Sequence, residues 1–222
     1  MLYEFYIKRR ALRNGETADN KDMKKSLVIA TFNPHKADEI RSILPVLPFE
    51  LKFLVDFPGA AAAVEDGATL EENALIKARA AAGFSGCWAL ADDTGLEVDA
   101  LAGAPGVRSA RYAGECCSPA ENNARLLSEM SAIPAGRRSA RFTCVMALVS
   151  PSGAERVVRG VLEGRIVAAP RGVNGFGYDS LFEVEDSGLT LAELQEAEKN
   201  ARSHRALALR ALRPELLRLA EA

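Results

Sequence analysis

Two Val-rich runs, Arg141 to Ser150 and Glu155 to Val167, flank Pro151-Ser152-Gly153. β-Branched runs on either side of a Pro/Gly turn read as one long β-hairpin. This hairpin dominates the second half of the chain, while strands and helices alternate in the first half. That combination predicts an α/β protein with a mixed sheet flanked by helices, in which the hairpin extends the sheet or builds a second lobe. A cleft between two such lobes is a common place for a ligand.

The first-half elements follow from local chemistry. Ser26 to Thr31 is a short apolar run that reads as a buried strand. Pro34 suits a first helical position, and Ala37, Ile40, Ile43 and Leu44 have helical spacing up to Pro45. Glu50 to Val55 reads as a second strand. Thr69-Leu70-Glu71-Glu72 is a capping box opening a helix to about Ala82, with Gly83 as its stop. Cys87 to Asp93 reads as a strand that turns at Thr94-Gly95, with Leu96 to Leu101 as a short extended piece. Ser118-Pro119-Ala120-Glu121 is a second capping box, for a helix to about Met130. Thr190 to Asn200 and Ser203 to Ala220 read as helices.

Composition excludes several classes. The 222 residues are 48% hydrophobic and 26% charged, with a net charge of −2. No global basic field points to nucleic acid or a membrane surface, so an anionic ligand needs a few placed cations. No stretch reaches the ~18 apolar residues of a membrane span. Cys87, Cys116, Cys117 and Cys144 have no CxxC spacing and read as reduced thiols of a cytoplasmic protein. His35 and His204 are too few for a histidine-rich zinc site. Residues 1–25 are basic, lack the apolar core of a signal peptide, and read as a flexible extension, or as upstream sequence preceding a later start such as Met23, before one catalytic domain over 26–221.

The apolar run Cys87 to Ala91 delivers two adjacent carboxylates, Asp92 and Asp93. Ionised carboxylates leaving water need a partner or a cation, and oxygen ligands suit Mg²⁺; alone, the pair also fits an acidic surface turn. Thr31-x-Asn33-x-x-Lys36 sits at a strand-to-helix turn, where free backbone N–H groups and the helix dipole favour phosphate. It lacks the glycines of a Walker loop. Glu72 is explained as a cap, whereas Glu65, in a loop, is free to reach a metal. Lys77 and Arg79 read as surface residues unless their face lines the cleft. In Gly175-Phe176-Gly177-Tyr178-Asp179 an aromatic can stack on a base and the acid can accept from base N–H groups. On one unbroken helix, His204 and Arg205 lie roughly 140° and 240° around from Lys199 and cannot converge. A break with Ser203 as cap lets them do so, at another anion-friendly helix start. Together these are the parts for a Mg²⁺-nucleoside polyphosphate.

Six motifs then occur in order: Thr-x-Asn-x-x-Lys from Thr31, Glu-Asn-Ala-x-x-Lys-Ala from Glu72, Ala-Asp-Asp-Thr-Gly-Leu from Ala91, Gly-Ala-Pro-Gly-Val-x-Ser-Ala-Arg-Tyr from Gly103, Gly-Phe-Gly-Tyr-Asp from Gly175, and Ser-His-Arg from Ser203. In this the chain resembles the inosine triphosphate pyrophosphatase family over about Leu27 to Leu217. The resemblance implies hydrolysis of ITP, dITP and XTP to the monophosphate and pyrophosphate, Mg²⁺ as cofactor, a homodimer, and an elongated two-lobed α/β fold with the active site in the cleft. On the matching positions, Thr31, Asn33 and Lys36 would bind the triphosphate. Asp93 would be the catalytic carboxylate and a metal ligand, accepting from the attacking water, with Glu65 supporting the metal and Asp92 close behind. Thr94 would touch substrate. Phe176, Gly177, Tyr178 and Asp179 would form the base pocket, with Phe176 stacking, and Lys199, His204 and Arg205 would complete recognition of base and phosphate.

Two positions depart from the family pattern: Phe32 stands where Gly is frequent, and Ser180 where Pro commonly follows the aromatic-glycine motif. Neither removes a polar functional group; both bear on affinity. The alternatives are a Maf-like nucleotide pyrophosphatase with other substrates, and a non-catalytic protein that binds nucleotide or RNA. The near-neutral charge argues against RNA.

Overall fold

The computed structural model describes residues 25–44 and 49–221; the expected extension over 1–25, apart from its last residue, and the helix stop at Pro45 lie outside them. A seven-stranded mixed sheet has the order β2-β1-β3-β5-β6-β7, with β4 also pairing β3. The strands are β1 (Ser26–Ile29), β2 (Glu50–Phe53), β3 (Trp88–Val98), β4 (Pro105–Gly106), β5 (Ser139–Val149), β6 (Glu155–Ile166) and β7 (Phe182–Val184). The helices are α1 (Pro34–Ile43), α2 (Leu70–Ser85), α3 (Pro119–Glu129), α4 (Glu196–Arg202) and α5 (His204–Glu221). β1 pairs β2 and β3 in parallel, whereas β3, β5, β6 and β7 run antiparallel. The expected hairpin is β5–β6, and it extends the sheet.

β3 organises the molecule. Its side chains alternate between the faces of the sheet. Leu90 packs with Ile40 of α1 and with Leu209, Leu212 and Leu216 of α5. Ala89 and Ala91 pack with Ala74, Ala78, Ala81 and Ala82 of α2. Farther along, Leu96 and Val98 enter a separate core with Leu126, Phe142, Phe182 and Leu191. The aspartates lie where the strand passes between these cores.

Several boundaries differ from the sequence reading. β3 does not turn at Thr94-Gly95; it runs on to Val98, paired with β5 from Ala89↔Val149 to Val98↔Ala140. Gly95 is there for close approach: a Cβ would sit 2.6 Å from the Gly106 carbonyl oxygen of β4. α2 passes through Gly83 to Ser85. A glycine costs a helix about 1 kcal/mol, less than the alanine face gains by burial against the sheet. β2 ends at Phe53, followed by a 3-10 turn over Leu54–Asp56. The helix expected from Thr190 is confined to Glu196–Arg202. Thr190 instead bridges Glu183, and its N–H donates to the Glu193 carboxylate at 2.8 Å.

Candidate active site

A cleft of about 740 Å³ opens along β3, within the roughly 300–1,000 Å³ of small-molecule sites. Topology creates it. β1 ends at the Ile29↔Leu90 register and β4 begins at Leu96↔Gly106. Between them, Ala91 to Gly95 is paired on the β5 side, and its other edge faces the opening. Each site residue expected from the sequence lines this cleft: Thr31, Asn33, Lys36, Glu65, Asp93, Thr94, Phe176, Gly177, Tyr178, Asp179, Lys199, His204 and Arg205.

Strand alternation separates the two aspartates. Asp93 faces α2: Lys77 Nζ donates to its Oδ1 at 2.9 Å and Asn73 Nδ2 to its Oδ2 at 3.4 Å. Lys77 also donates to Glu65 Oε2 at 2.8 Å. Burial raises the Asp93 carboxyl above the usual carboxylate range, against the pull of Lys77 and Lys36. Burial pushes the Lys77 ammonium down, but Asp93, Asp92 and Glu65 outweigh it and hold it above the ordinary lysine value. Asp92 faces α5 and is fully buried. It accepts from Arg205 Nη2 at 2.9 Å and Thr94 Oγ1 at 3.2 Å, with Lys36 Nζ at 3.1 Å. Burial alone raises such a carboxyl; Lys36 and Arg205 override it and hold Asp92 far below the usual range.

The Thr31–Lys36 turn is built from its own side chains. Thr31 Oγ1 accepts the Asn33 N–H at 3.1 Å, and Asn33 Oδ1 accepts the His35 and Lys36 N–H groups at 3.0 and 3.3 Å, capping α1. The expected break before His204 is present: Ser203 has φ −61° and ψ 157°, extended backbone between α4 and α5. Its Oγ accepts the Ala206 N–H at 3.2 Å. α5 presses on β6 at Gly160, where a Cβ would lie 2.2 Å from the His204 carbonyl oxygen. The break brings Lys199, His204 and Arg205 to one cleft. His204 stacks on Phe142 with ring centroids 4.7 Å apart. Burial, with Arg205 and Lys199 nearby, lowers its pKa well below the ordinary value. Its Nδ1 is buried with no hydrogen-bond partner among the described residues.

In the aromatic-glycine loop, Asp179 accepts the Phe176 N–H at 2.9 Å and Lys199 Nζ at 2.7 Å. Burial raises its carboxyl, although Lys199 opposes the shift. Its oxygen Oδ2 thus anchors the loop and a lysine. Phe176 faces the His35 ring at 5.1 Å, and Lys199 Nζ lies 5.1 Å from its centroid. The Tyr178 hydroxyl donates to the Ser109 carbonyl at 2.9 Å, tying the loop to the Ser109–Arg111 turn.

Three contributors were given no site role by the sequence reading, although Asn73 and Lys77 belong to the motif from Glu72 and Lys77 was tied to the cleft on condition that its helix face lined it. Lys77 is a cleft residue, while Arg79 is on the surface, paired with Glu155. Glu39 of α1 bridges Lys199 at 2.5 Å and Arg205. Asn73 reaches Asp93. Their signals were helical spacing: Glu39 lies three residues after Lys36, and Asn73 four before Lys77, each on one face of its helix.

The donor set bears on a metal. Glu65 and Asp93 converge on one cation, the Lys77 ammonium, with oxygen ligands only. Among the described residues no group of three His, Cys, Asp or Glu forms a closed cage. Two carboxylates, with phosphate and water completing the shell, is the way Mg²⁺ is commonly held, so the residues fit that ion.

A mixed α/β sheet carrying a carboxylate–lysine centre, two cationic helix starts and an aromatic loop in one cleft defines a nucleotide-processing class of protein. The Ham1 family model matches residues 27–215. The chain is 53% identical over 190 residues to a dITP/XTP pyrophosphatase of Geobacter sulfurreducens, covering 86% of this chain and 96% of that one. A protein of the same name from Elusimicrobium minutum is 52% identical over 81% of this chain and 93% of its own. Among solved structures, a HAM1 protein from Coxiella burnetii superposes with a TM-score of 0.79 at 42% identity, over 89% of this chain and all of that one. The Staphylococcus aureus Ham1 protein gives 0.78 at 37%, over 86% and 98%. The chain belongs to the Ham1 family, as the six motifs led one to expect.

Proposed function

We propose that this protein hydrolyses deaminated purine nucleoside triphosphates, dITP, ITP and XTP, to the monophosphate and pyrophosphate, clearing them from the nucleotide pool. The observation that carries the reading is Asp93, paired with Lys77 between the Thr31–Lys36 turn and the Phe176 loop. The names of the matched relatives support the substrate class.

Asp93 accepts the proton of the water that attacks phosphorus. Burial raises its basicity, which brings a carboxylate closer to the strength of an effective general base. Lys36 and Lys77 offset charge developing on the pyrophosphate leaving group. Glu65 and Asp93 would hold Mg²⁺, which supplies further neutralisation of phosphate oxygens when bound. Phe176 offers its ring to the base, with Lys199, His204 and Arg205 around it. Donors aimed at O6 are satisfied by hypoxanthine and xanthine. The amino group of adenine leaves them facing another donor, and an unpaired buried polar group costs about 1–3 kcal/mol. A homodimer and a cytoplasmic setting complete the reading; light scattering tests the first. No helix among the described residues is long and apolar enough to cross a membrane.

Chromatography of the products of dITP with Mg²⁺ tests the reaction. Monophosphate with pyrophosphate is expected; diphosphate with phosphate refutes it. A preference for dITP or XTP below tenfold over ATP and GTP removes the substrate assignment and favours a Maf-like activity.

A further inference from the structure

The Ser109-Ala110-Arg111 turn lies on the cleft wall and the reading above gives it no role. Its backbone is fixed from two sides. Ser109 Oγ accepts the Leu96 N–H of β3 at 2.8 Å and donates to the Gly106 carbonyl at 2.6 Å. The Ser109 carbonyl accepts the Tyr178 hydroxyl. A rigid turn therefore presents Arg111 to the cleft, where it is a lining residue.

The other basic side chains of this cleft are engaged with buried or half-buried carboxylates. Lys36 and Arg205 hold Asp92, Lys77 holds Asp93 and Glu65, and Lys199 holds Asp179 and Glu39. Arg111 is different. Its only carboxylate neighbour among the described residues is Glu115, 3.8 Å away, 71% exposed and shared with Arg108. Such an exposed pair contributes little. Its Nη2 reaches the carbonyl oxygen of Glu65 at 3.4 Å, which places the guanidinium beside the Glu65–Lys77–Asp93 group. A triphosphate brings more negative charge than the paired cations can absorb without releasing their carboxylates. A planar guanidinium is suited to phosphate, since its parallel N–H groups bind two oxygens at once.

We infer that Arg111 is a substrate-binding residue that grips the phosphate chain next to Asp93. This deepens the proposed function and rests on it for the identity of the substrate. It makes the cationic side of the site a four-element arrangement: the α1 start, Lys77 of α2, the α4–α5 break and the β4–α3 turn.

Calorimetry with inorganic tripolyphosphate, at low ionic strength and with EDTA present, tests the inference without turnover or Mg²⁺. Arg111→Ala is expected to weaken tripolyphosphate binding by about 10-fold to 100-fold and to raise KM for dITP with a smaller change in kcat. Arg111→Lys, which keeps the charge but not the parallel N–H pair, should recover part of the affinity. Both variants should melt close to the wild-type temperature, because the only ion pair at stake among the described residues is with the exposed Glu115. Affinity within twofold of wild type in Arg111→Ala overturns the inference, as does an equal loss in Arg111→Lys or no binding by the wild-type protein. Failure of the wild-type protein to hydrolyse dITP while tripolyphosphate binding follows this pattern defeats the substrate reading alone.

Discussion

On the α5 side of β3, Asp92 is enclosed by Lys36, Arg205 and Thr94 and has no open approach. On the α2 side, one residue later, Asp93 lines the cleft and shares Lys77 with Glu65. The same residue type, on the same strand, is pulled in opposite directions: one carboxyl is held well below its ordinary pKa, the other is lifted above it. The difference comes from what each face presents. Asp92 meets two cations in a closed space and serves as their anchor. Asp93 meets one cation, an amide and an opening, and its ability to accept a proton is preserved.

The largest test of this contrast is Asp93→Asn. It should lower kcat about 10³-fold, with nucleotide binding and melting temperature close to wild type, as read by steady-state kinetics and calorimetry. A variant rate near wild type would assign the base elsewhere. Asp92→Asn should do the reverse in kind, because it takes the carboxylate from Lys36 and leaves the buried Arg205 with Glu39 as its remaining counter-charge. Breaking a buried ionic cluster costs about 3–5 kcal/mol, so urea unfolding should show a large loss of stability, and kinetic losses should follow from misplaced Lys36 and Arg205. If Asp92→Asn were as stable as wild type, the anchoring role would be wrong.

The smallest expected effect concerns His204, which sits on the Asp92 side. Burial with Arg205 and Lys199 nearby lowers its pKa in the fold, whereas an unfolded histidine titrates near 6.5. As pH falls below that value the unfolded chain takes up a proton that the native state refuses. Stability from the neutral ring is therefore complete above about pH 6.5 and is lost below it, by about 1.4 kcal/mol per pH unit at most. His204→Phe, which keeps a ring against Phe142, should flatten the melting temperature between pH 6.5 and 5. An unchanged slope would show that His204 is not the group responsible.

Much of the site was legible as sequence because its parts are local. A Thr-x-Asn-x-x-Lys turn, a Ser203 break and a Gly-Phe-Gly-Tyr-Asp loop each encode geometry within a few residues, through caps and helix starts. The hairpin was legible for the same reason. Lys77 and Glu39 were harder, since a charged residue on a helix is solvated or buried depending on what packs opposite, and that partner comes from another part of the chain. The turn expected at Thr94-Gly95 shows the same limit. The glycine was read as a bend, while its cause is the Gly106 backbone 2.6 Å from where a Cβ would be.

The order of residues determined the strand carrying Asp92 and Asp93, the helix caps, the aromatic loop and the likeness to a family of pyrophosphatases. The resemblance already singles out Asp93 over Asp92; tertiary structure decided the physical reason, one carboxylate an anchor and the other facing the cleft. Local sequence presents two adjacent carboxylates as equivalent. Only the helices packed on the opposite faces of β3, closed around Asp92 and open at Asp93, give them different dielectric surroundings and different partners.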